Sequence, residues 1–278
     1  MKAVSNPNRQ TFEIGTTVLA EERQRLILSM VNGRGSISIT EIQRKLKVSR
    51  ETIRRDLVLL ADRNVLRKTH GGALSLERSE PEIALREVTN ADAKRAIGRR
   101  AAALVPDGAS VILASGSTVQ AVADALLSRQ GLTIFTNSLG VCRRLAGHNK
   151  NRVHVLGGEL QAINGATLGR DTTSMLAHYF ADFVFVGAGA IAPTGLLMDY
   201  TREEGELHGI MLQSARTAVV VADQTKFNRY APVRVGNFEK VTHLVTDRRP
   251  QAPLAQALAA LPLEILVPFR LNDTEHRS

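Results

Sequence analysis

Between residues 111 and 267 the sequence alternates short, continuous apolar runs with stretches of helical spacing, and that alternation constrains the fold more than any other feature. The runs 111–113, 132–135, 153–156, 183–186, 218–222, 241–246 and 265–267 are apolar on both sides of the chain, as strands covered on both faces must be. Helical stretches lie before and between them. One spans 91–105, with Ile97, Ala101 and Leu104 on one side; others span 118–127, 139–146, 172–179 (with Asp171 as N-cap), 203–215 and 254–261. Strands joined by helical crossovers imply an α/β domain with a mostly parallel open sheet.

Open sheets of this kind bind ligands beyond the carboxyl ends of their strands, and here those ends are polar. The first run leads into Ser115-Gly116-Ser117-Thr118, which opens directly into a helix. Glycine lets backbone approach a ligand, hydroxyls and amides donate, and the helix N-terminus favours an anion. Later runs end in Thr136-Asn137-Ser138, Gly157-Gly158-Glu159, Gly187-Ala188-Gly189, and Asp223 followed by Lys226. Phosphate is the anion best suited to such loops, with Lys226 as a charge partner. Glu204 could read ligand hydroxyls, although with Glu203 it also simply suits the start of a helix. The expected effector-binding set is therefore Ser115, Gly116, Ser117, Thr118, Thr136, Asn137, Ser138, Gly157, Gly158, Gly187, Glu204, Asp223 and Lys226.

The leading segment is organised differently. Residues 20–32 read as a helix with Leu26, Ile27, Met30 and Val31 on one face, ended by Gly33 and Gly35. Ile37 and Ile39 suggest a short strand. A second helix is expected from Thr40, where Thr40 and Gln43 form a capping box, with Ile42 and Leu46 inward. Ser49 suits the N-cap of a third helix to about residue 63. Its buried stripe is Ile53, Leu57 and Leu60, which leaves Ser49, Arg50, Thr52, Arg54 and Arg55 on the outer side. Three short helices with a tight link before the third make a helix-turn-helix, and arginines with small hydroxyls on the last helix suit a major groove. Residues 65–76 read as a hairpin turning at Gly71-Gly72, a wing carrying Arg67, Lys68 and His70 toward phosphates. His70 could equally pack against the turn.

Charge agrees with this division. The formal net charge is +9, and residues 1–80 alone hold 15 Lys/Arg against 9 Asp/Glu. A basic excess in a small leading segment points to a polyanion, here double-stranded DNA. The single cysteine, Cys142, lies among Leu139, Val141 and Leu145 and reads as helix packing. One cysteine forms no intramolecular disulfide, which fits a reducing cytoplasm. No apolar stretch is long enough for a membrane span, and residues 1–10 are too polar for a signal peptide. The seven histidines lack metal-ligand spacing, so neither a metal nor another cofactor is expected.

Taken together the expected organisation is a winged helix-turn-helix over 18–76, a polar linker over 77–90 and an effector-sensing domain over 91–268. The run Val48-Ser49-Arg50-Glu51-Thr52-Ile53-Arg54-Arg55-Asp56-Leu57, followed by Leu60 and His70-Gly71-Gly72-Ala73, resembles the signature of the DeoR family of bacterial repressors. The resemblance extends through Lys94-Arg95-Ala96-Ile97, Ser115-Gly116-Ser117-Thr118, Thr136-Asn137-Ser138-Leu139, Gly157-Gly158-Glu159-Leu160 and Ala222-Asp223-Gln224-Thr225-Lys226-Phe227, over roughly residues 18 to 248. It implies a recognition helix at residues 49–57 and a sensor domain related in fold to ribose-5-phosphate isomerase. It further implies a phosphorylated effector that changes DNA affinity, and a homodimer or homotetramer. Asp56 would orient arginines rather than meet phosphate.

Two departures stand out: Ala114 where the family often has Asp, and Gly189 in place of the Asp of a Gly-Ala-Asp-Gly stretch. Gly195-Leu196-Leu197-Met198-Asp199-Tyr200 looks closer to the glycerol-3-phosphate and sulfosugar branch, which implies a polyol phosphate, a hexose phosphate or a sulfonated sugar. The alternative is a sugar-phosphate isomerase-like enzyme with a DNA-binding appendage. Isomerisation needs a positioned acid and base, and Gly189 removes one obvious candidate, leaving Glu204 with Lys226.

Overall fold

The computed structural model describes residues 20–34, 36–63, 65–69, 71–75 and 80–268. The chain divides into two compact units, Met1–Glu77 and Arg78–Ser278.

The first unit runs α1 (Ala20–Arg34), β1 (Ser36–Ser38), α2 (Ile39–Leu46), α3 (Arg50–Asp62), β2 (Leu66–Lys68) and β3 (Gly72–Ser75). Its strands form an antiparallel sheet in the order β1-β3-β2. Ile27, Val31, Ile42, Ile53, Leu57, Leu60 and Leu66 make one buried core, each worth roughly 1.5–3 kcal/mol relative to exposure. Ser49 caps α3, its hydroxyl accepting from the Thr52 amide at 3.1 Å.

Three local expectations fail here. Ile39 opens α2 rather than extending a strand, and Ser38 is the N-cap, accepting from the Glu41 amide at 3.2 Å. The capping box at Thr40 and Gln43 is therefore displaced by a serine two residues earlier. Leu26 is 41% exposed, because the inward stripe of α1 passes through Ile27 and Val31, four residues apart.

The second unit opens with α4 (Ile83–Val88), α5 (Ala91–Ala102), β4 (Ser110–Leu113), α6 (Ser117–Leu126), β5 (Thr133–Thr136), α7 (Leu139–Leu145) and β6 (Arg152–Val155). A hairpin follows, β7 (Glu159–Gln161) and β8 (Ala166–Leu168), then α8 (Arg170–Leu176) and β9 (Ala181–Val186). The remainder is β10 (Ala190–Ile191), β11 (Leu197–Asp199), α9 (Arg202–Gln213), β12 (Ala215–Val221), β13 (Val233–Arg234), β14 (Val241–Val245), α10 (Leu254–Ala259) and β15 (Glu264–Leu266).

All seven apolar runs become neighbouring strands of one sheet, ordered β15-β14-β12-β9-β4-β5-β6, with every pairing parallel. Alternate residues of the strands feed different cores: Ile112, Val184 and Val220 belong to one, Val111, Phe185 and Val219 to the other. That is the burial on both faces that continuous apolar strands require.

The topology creates a switch point. The chain steps from β4 outward through β5 to β6, then returns to the other flank of β4 with β9 and continues outward the opposite way. The carboxyl ends of β4 and β9 thus border the crevice where ligands of such sheets sit.

Segment 80–90 is not a bare linker. It carries α4, whose Arg86 is buried, and the ammonium of buried Lys94 donates to the Arg86 and Thr89 carbonyls at 2.5 and 2.8 Å. Helix α8 is capped at Gly169 rather than Asp171, which lies inside its first turn. The small antiparallel sheet β10-β11-β13 was not expected either.

Candidate functional site

Two places gather chemistry-bearing side chains, one in each unit. In the first unit it is the outer side of α3. Arg54 and Arg55 are exposed there, as are Ser49 and Arg50. Arg54 makes no hydrogen bond or ion pair among the described residues, and Arg55 has only a solvent-exposed pairing with Glu51 at 3.4 Å. Arg50 folds back instead, donating to the Thr40 hydroxyl at 3.0 Å and the Gln43 side-chain oxygen at 3.3 Å. It thereby ties α3 to α2. Ser49 and Thr52 share a hydroxyl–hydroxyl bond of 2.8 Å. On the inner side Asp56 is buried and accepts from Arg23 Nε at 2.5 Å, Arg23 Nη2 at 3.1 Å and Gln24 at 3.1 Å. Asp56 orients an arginine, and it belongs to α1. On β2, Lys68 is exposed and Arg67 half-buried. His70 lies outside the described residues.

In the second unit the switch-point crevice is a narrow polar cleft open to solvent. Its walls include Ser115, Gly116, Ser117 and Thr118 after β4, Gly187, Ala188 and Gly189 after β9, and Lys226 after β12. Gly116 has φ 129 with open space where a Cβ would stand, so the turn into α6 needs glycine for its backbone and not for room. The remaining wall is Glu80, Arg86, Asp199, Glu204 and His208.

These charges form two linked sets. Arg86 pairs with Glu80 at 2.7 Å and donates to the Asn164 oxygen at 2.7 Å; Asn164 in turn donates to Glu204 at 2.7 Å. Glu204 also accepts from Thr201 at 2.8 Å, and Lys226 stands 3.6 Å from the same Glu80 oxygen that meets Arg86. In the second set His208 Nδ1 lies 2.7 Å from Asp199, whose other oxygen accepts from the Gly189 amide at 3.1 Å. Burial, with the neighbouring Glu80 and Asp199 charges, pushes the Glu204 carboxyl above its ordinary range. Burial works to lower the His208 pKa, but the charge and hydrogen bond of Asp199, helped by Glu204 and Glu80, raise it overall. The cleft therefore favours protonated His208 beside a carboxyl that holds its proton more tightly than usual.

Of the expected effector residues, Ser115, Gly116, Ser117, Thr118, Gly187, Glu204 and Lys226 line this cleft together. Thr136, Asn137 and Ser138 do not; all three are fully buried. Thr136 accepts from the Ser138 amide, Asn137 donates to the Thr167 carbonyl at 2.9 Å, and Ser138 caps α7. Gly157 and Gly158 lie after the edge strand β6, and a Cβ on Gly158 would stand 2.3 Å from the Thr172 hydroxyl oxygen, so that glycine serves a close chain crossing. Asp223 is buried and caps the turn Gln224–Lys226, accepting from the Thr225 amide at 2.9 Å, which sets where Lys226 begins.

Sequence reasoning missed Glu80, Arg86, Asp199 and His208. The first two sit in a stretch read as linker, and the last two meet only because β11 and α9 fold together. Tyr200 lies next to Asp199, and burial pushes its phenol up. Cys142 is half-buried, with burial raising its thiol pKa, consistent with a packing role. Among the described residues no His/Cys/Asp/Glu group could hold a metal ion, and no helix is long and apolar enough to cross a membrane.

Comparison with known proteins agrees with both units. Residues 23–79 match the DeoR-like helix-turn-helix domain, and residues 89–248 match the DeoR C terminal sensor domain. The chain is 34% identical to the HTH-type transcriptional repressor CsqR of Escherichia coli, over 91% of this chain and 97% of that relative. It is also 34% identical to the glycerol-3-phosphate regulon repressor of Haemophilus influenzae, over 82% and 90%. Against the HTH-type transcriptional repressor GlcR of Bacillus subtilis the identity is 30%, over 89% and 96%. Among solved structures, ribose 5-phosphate isomerase A from Methanocaldococcus jannaschii overlaps half of this chain and 55% of its own, at 20% identity and a TM-score of 0.38. With both domain models matched in order and relatives aligned along nearly their whole length, this chain belongs to the DeoR family of helix-turn-helix transcriptional regulators.

Proposed function

We propose that this protein represses a carbohydrate or polyol catabolic operon, with its DNA affinity set by a phosphorylated or sulfonated sugar held in the switch-point cleft. The observation that carries the reading is the co-occurrence of two unlike sites in one chain. One is an exposed helix face with an arginine that has no partner among the described residues; the other is a cleft whose charges sit beside backbone amides at the start of a ten-residue helix.

On the DNA side, Arg54 and Arg55 reach base edges, while Ser49, Thr52, Arg67 and Lys68 meet phosphates. Arg50 holds the turn between α2 and α3 and comes to phosphate only by leaving Thr40 and Gln43. A helix-turn-helix reads one half-site, so the protein acts as a homodimer or homotetramer in the cytoplasm.

On the effector side, the amides of Ser117 and Thr118 and the Lys226 ammonium take the anion. Glu204, Asp199 and His208 read hydroxyls from the opposite wall. Ligand binding alters DNA affinity only by favouring one of two states of the protein.

The test is capture of sheared genomic DNA by the purified protein, with and without a panel of sugar phosphates. Enrichment of a few sites, changed by one compound, supports the reading. Absence of any preference over random duplex at physiological salt sinks it, and turnover of a sugar phosphate would establish the isomerase alternative.

A further inference from the structure

The cleft already holds an anion of its own. One oxygen of Glu80 meets Arg86 at 2.7 Å and stands 3.6 Å from the Lys226 ammonium. Glu80 is thus the lining carboxylate that faces both Arg86 and Lys226. The Glu80 charge also contributes to the raised pKa values of Glu204, His208 and Tyr200, which places it at the electrostatic centre of the cleft.

Its two contacts are unequal. Arg86 is fully engaged, with its Nε donating to the Pro81 carbonyl at 2.8 Å and its remaining nitrogen held by Asn164. Lys226 is not: 3.6 Å is beyond hydrogen-bond reach, and its ammonium has no other partner among the described residues. Lys226 is therefore a poorly satisfied cation, attracted to Glu80 without being bonded by it.

An arriving phosphate would satisfy Lys226 and at the same time oppose Glu80. Two anions cannot share that small a cation set while Asp199 and Glu204 also face it. Glu80 has a way out, because its side chain is 15% exposed. It also has leverage: it lies three residues after Glu77, where the first unit ends, and three residues before Ile83, where α4 begins.

We propose that Glu80 is a resident competitor that sets the charge an effector must carry, so that a dianion binds by expelling it and thereby releases segment 80–88 from the cleft. Neutral sugars cannot replace the carboxylate, and a monoanionic sulfonate displaces it less completely than a phosphate dianion does. The inference rests on the cleft being the effector site.

The test uses the full-length protein, with Glu80→Gln and Glu80→Ala, and calorimetric titration with glycerol 3-phosphate, glucose 6-phosphate, inorganic phosphate, an alkyl sulfonate, glycerol and glucose. Losing the competitor should tighten phosphate binding about tenfold and tighten sulfonate binding by a larger factor. Amide hydrogen exchange of wild-type protein supplies a readout that needs no variant: saturating phosphate compound should slow exchange at residues 115–120 and quicken it at 80–88. Unchanged or weaker phosphate binding by both variants, or slower exchange at 80–88, would overturn the proposal while leaving the effector site in place. Binding that is lost in Lys226→Ala but unmoved in both Glu80 variants has the same meaning. If no phosphate compound binds wild type or variants, the effector reading itself falls, and this inference with it.

Discussion

The outer face of α3 and the lining of the switch-point cleft carry similar residues and treat them in opposite ways. On α3, Arg54 has no partner among the described residues and the Arg55–Glu51 contact is open to solvent, with the two side chains 78% and 62% exposed. In the cleft, each guanidinium nitrogen of Arg86 meets a protein oxygen, and Asp199 and Glu204 are each bonded by a neighbour. A charge left unpaired in water costs little and stays available to a phosphate or a base edge. A charge in a cleft must be answered within the fold, and its partner can change only if something of like charge arrives. The contrast separates a surface whose charges face solvent from a pocket whose charges are answered within the fold.

The largest expected effect tests the inner side of that same helix. Asp56→Ala would remove the buried carboxylate that accepts three bonds from Arg23 and Gln24, at a cost of about 3 kcal/mol to the first unit. Arg55→Ala, removing only the exposed pairing, should cost less than about 0.5 kcal/mol. Urea unfolding followed by circular dichroism reads both. Equal losses would mean that burial does not separate the two faces.

Next in size is the effect on DNA. Arg54→Ala should lose about 1–3 kcal/mol of discrimination between operator and random duplex, whereas Arg67→Ala should weaken both alike and flatten the salt dependence. Fluorescence anisotropy with the two duplexes across a salt series distinguishes them. Parallel losses for Arg54→Ala would move that arginine from base reading to phosphate.

The same contrast explains what could be read from the sequence. The stripe Ile53, Leu57 and Leu60 places α3 and its outer residues by local periodicity, so Ser49, Arg54 and Arg55 were legible without a fold. The seven strands were legible because burial on both faces leaves an apolar run that needs no partner to recognise. The loops after β4 and β9 followed from strand order and glycine. The other half of the cleft was not legible. His208 faces Asp199 from nine residues away through β11 and α9, and Arg86 meets Asn164 across 78 residues. Helix α4 is six residues long and exposes Leu85 and Val88, so its periodicity resembles a linker. Thr136, Asn137 and Ser138 misled in the other direction, since polar residues at a strand end serve backbone bonding as readily as ligand binding.

The smallest effect is a pH dependence, and it asks whether the cleft's charges are answered in the way the distances imply. His208 has its pKa raised in the folded chain, the opposing burial outweighed by Asp199. A histidine that holds its proton more tightly when folded adds stability below its unfolded pKa of about 6.5, and loses that contribution as pH rises through the folded value. Glu204, raised by burial, acts in the same direction from its own lower starting value. Wild-type protein should therefore exceed His208→Gln in Tm by most below the unfolded histidine value of about 6.5, and the gap should narrow as the pH is raised above it. Thermal melts of both proteins across that range measure it. A gap that stays constant would mean that His208 is neutral throughout, donating its Nδ1 proton to Asp199 without carrying charge. In that case the cleft would present Arg86 and Lys226 as its only cations among the lining residues. An anion's preference for the α6 end would then come from amides and Lys226 alone, and affinity for a phosphate would not fall with His208 as the pH is raised.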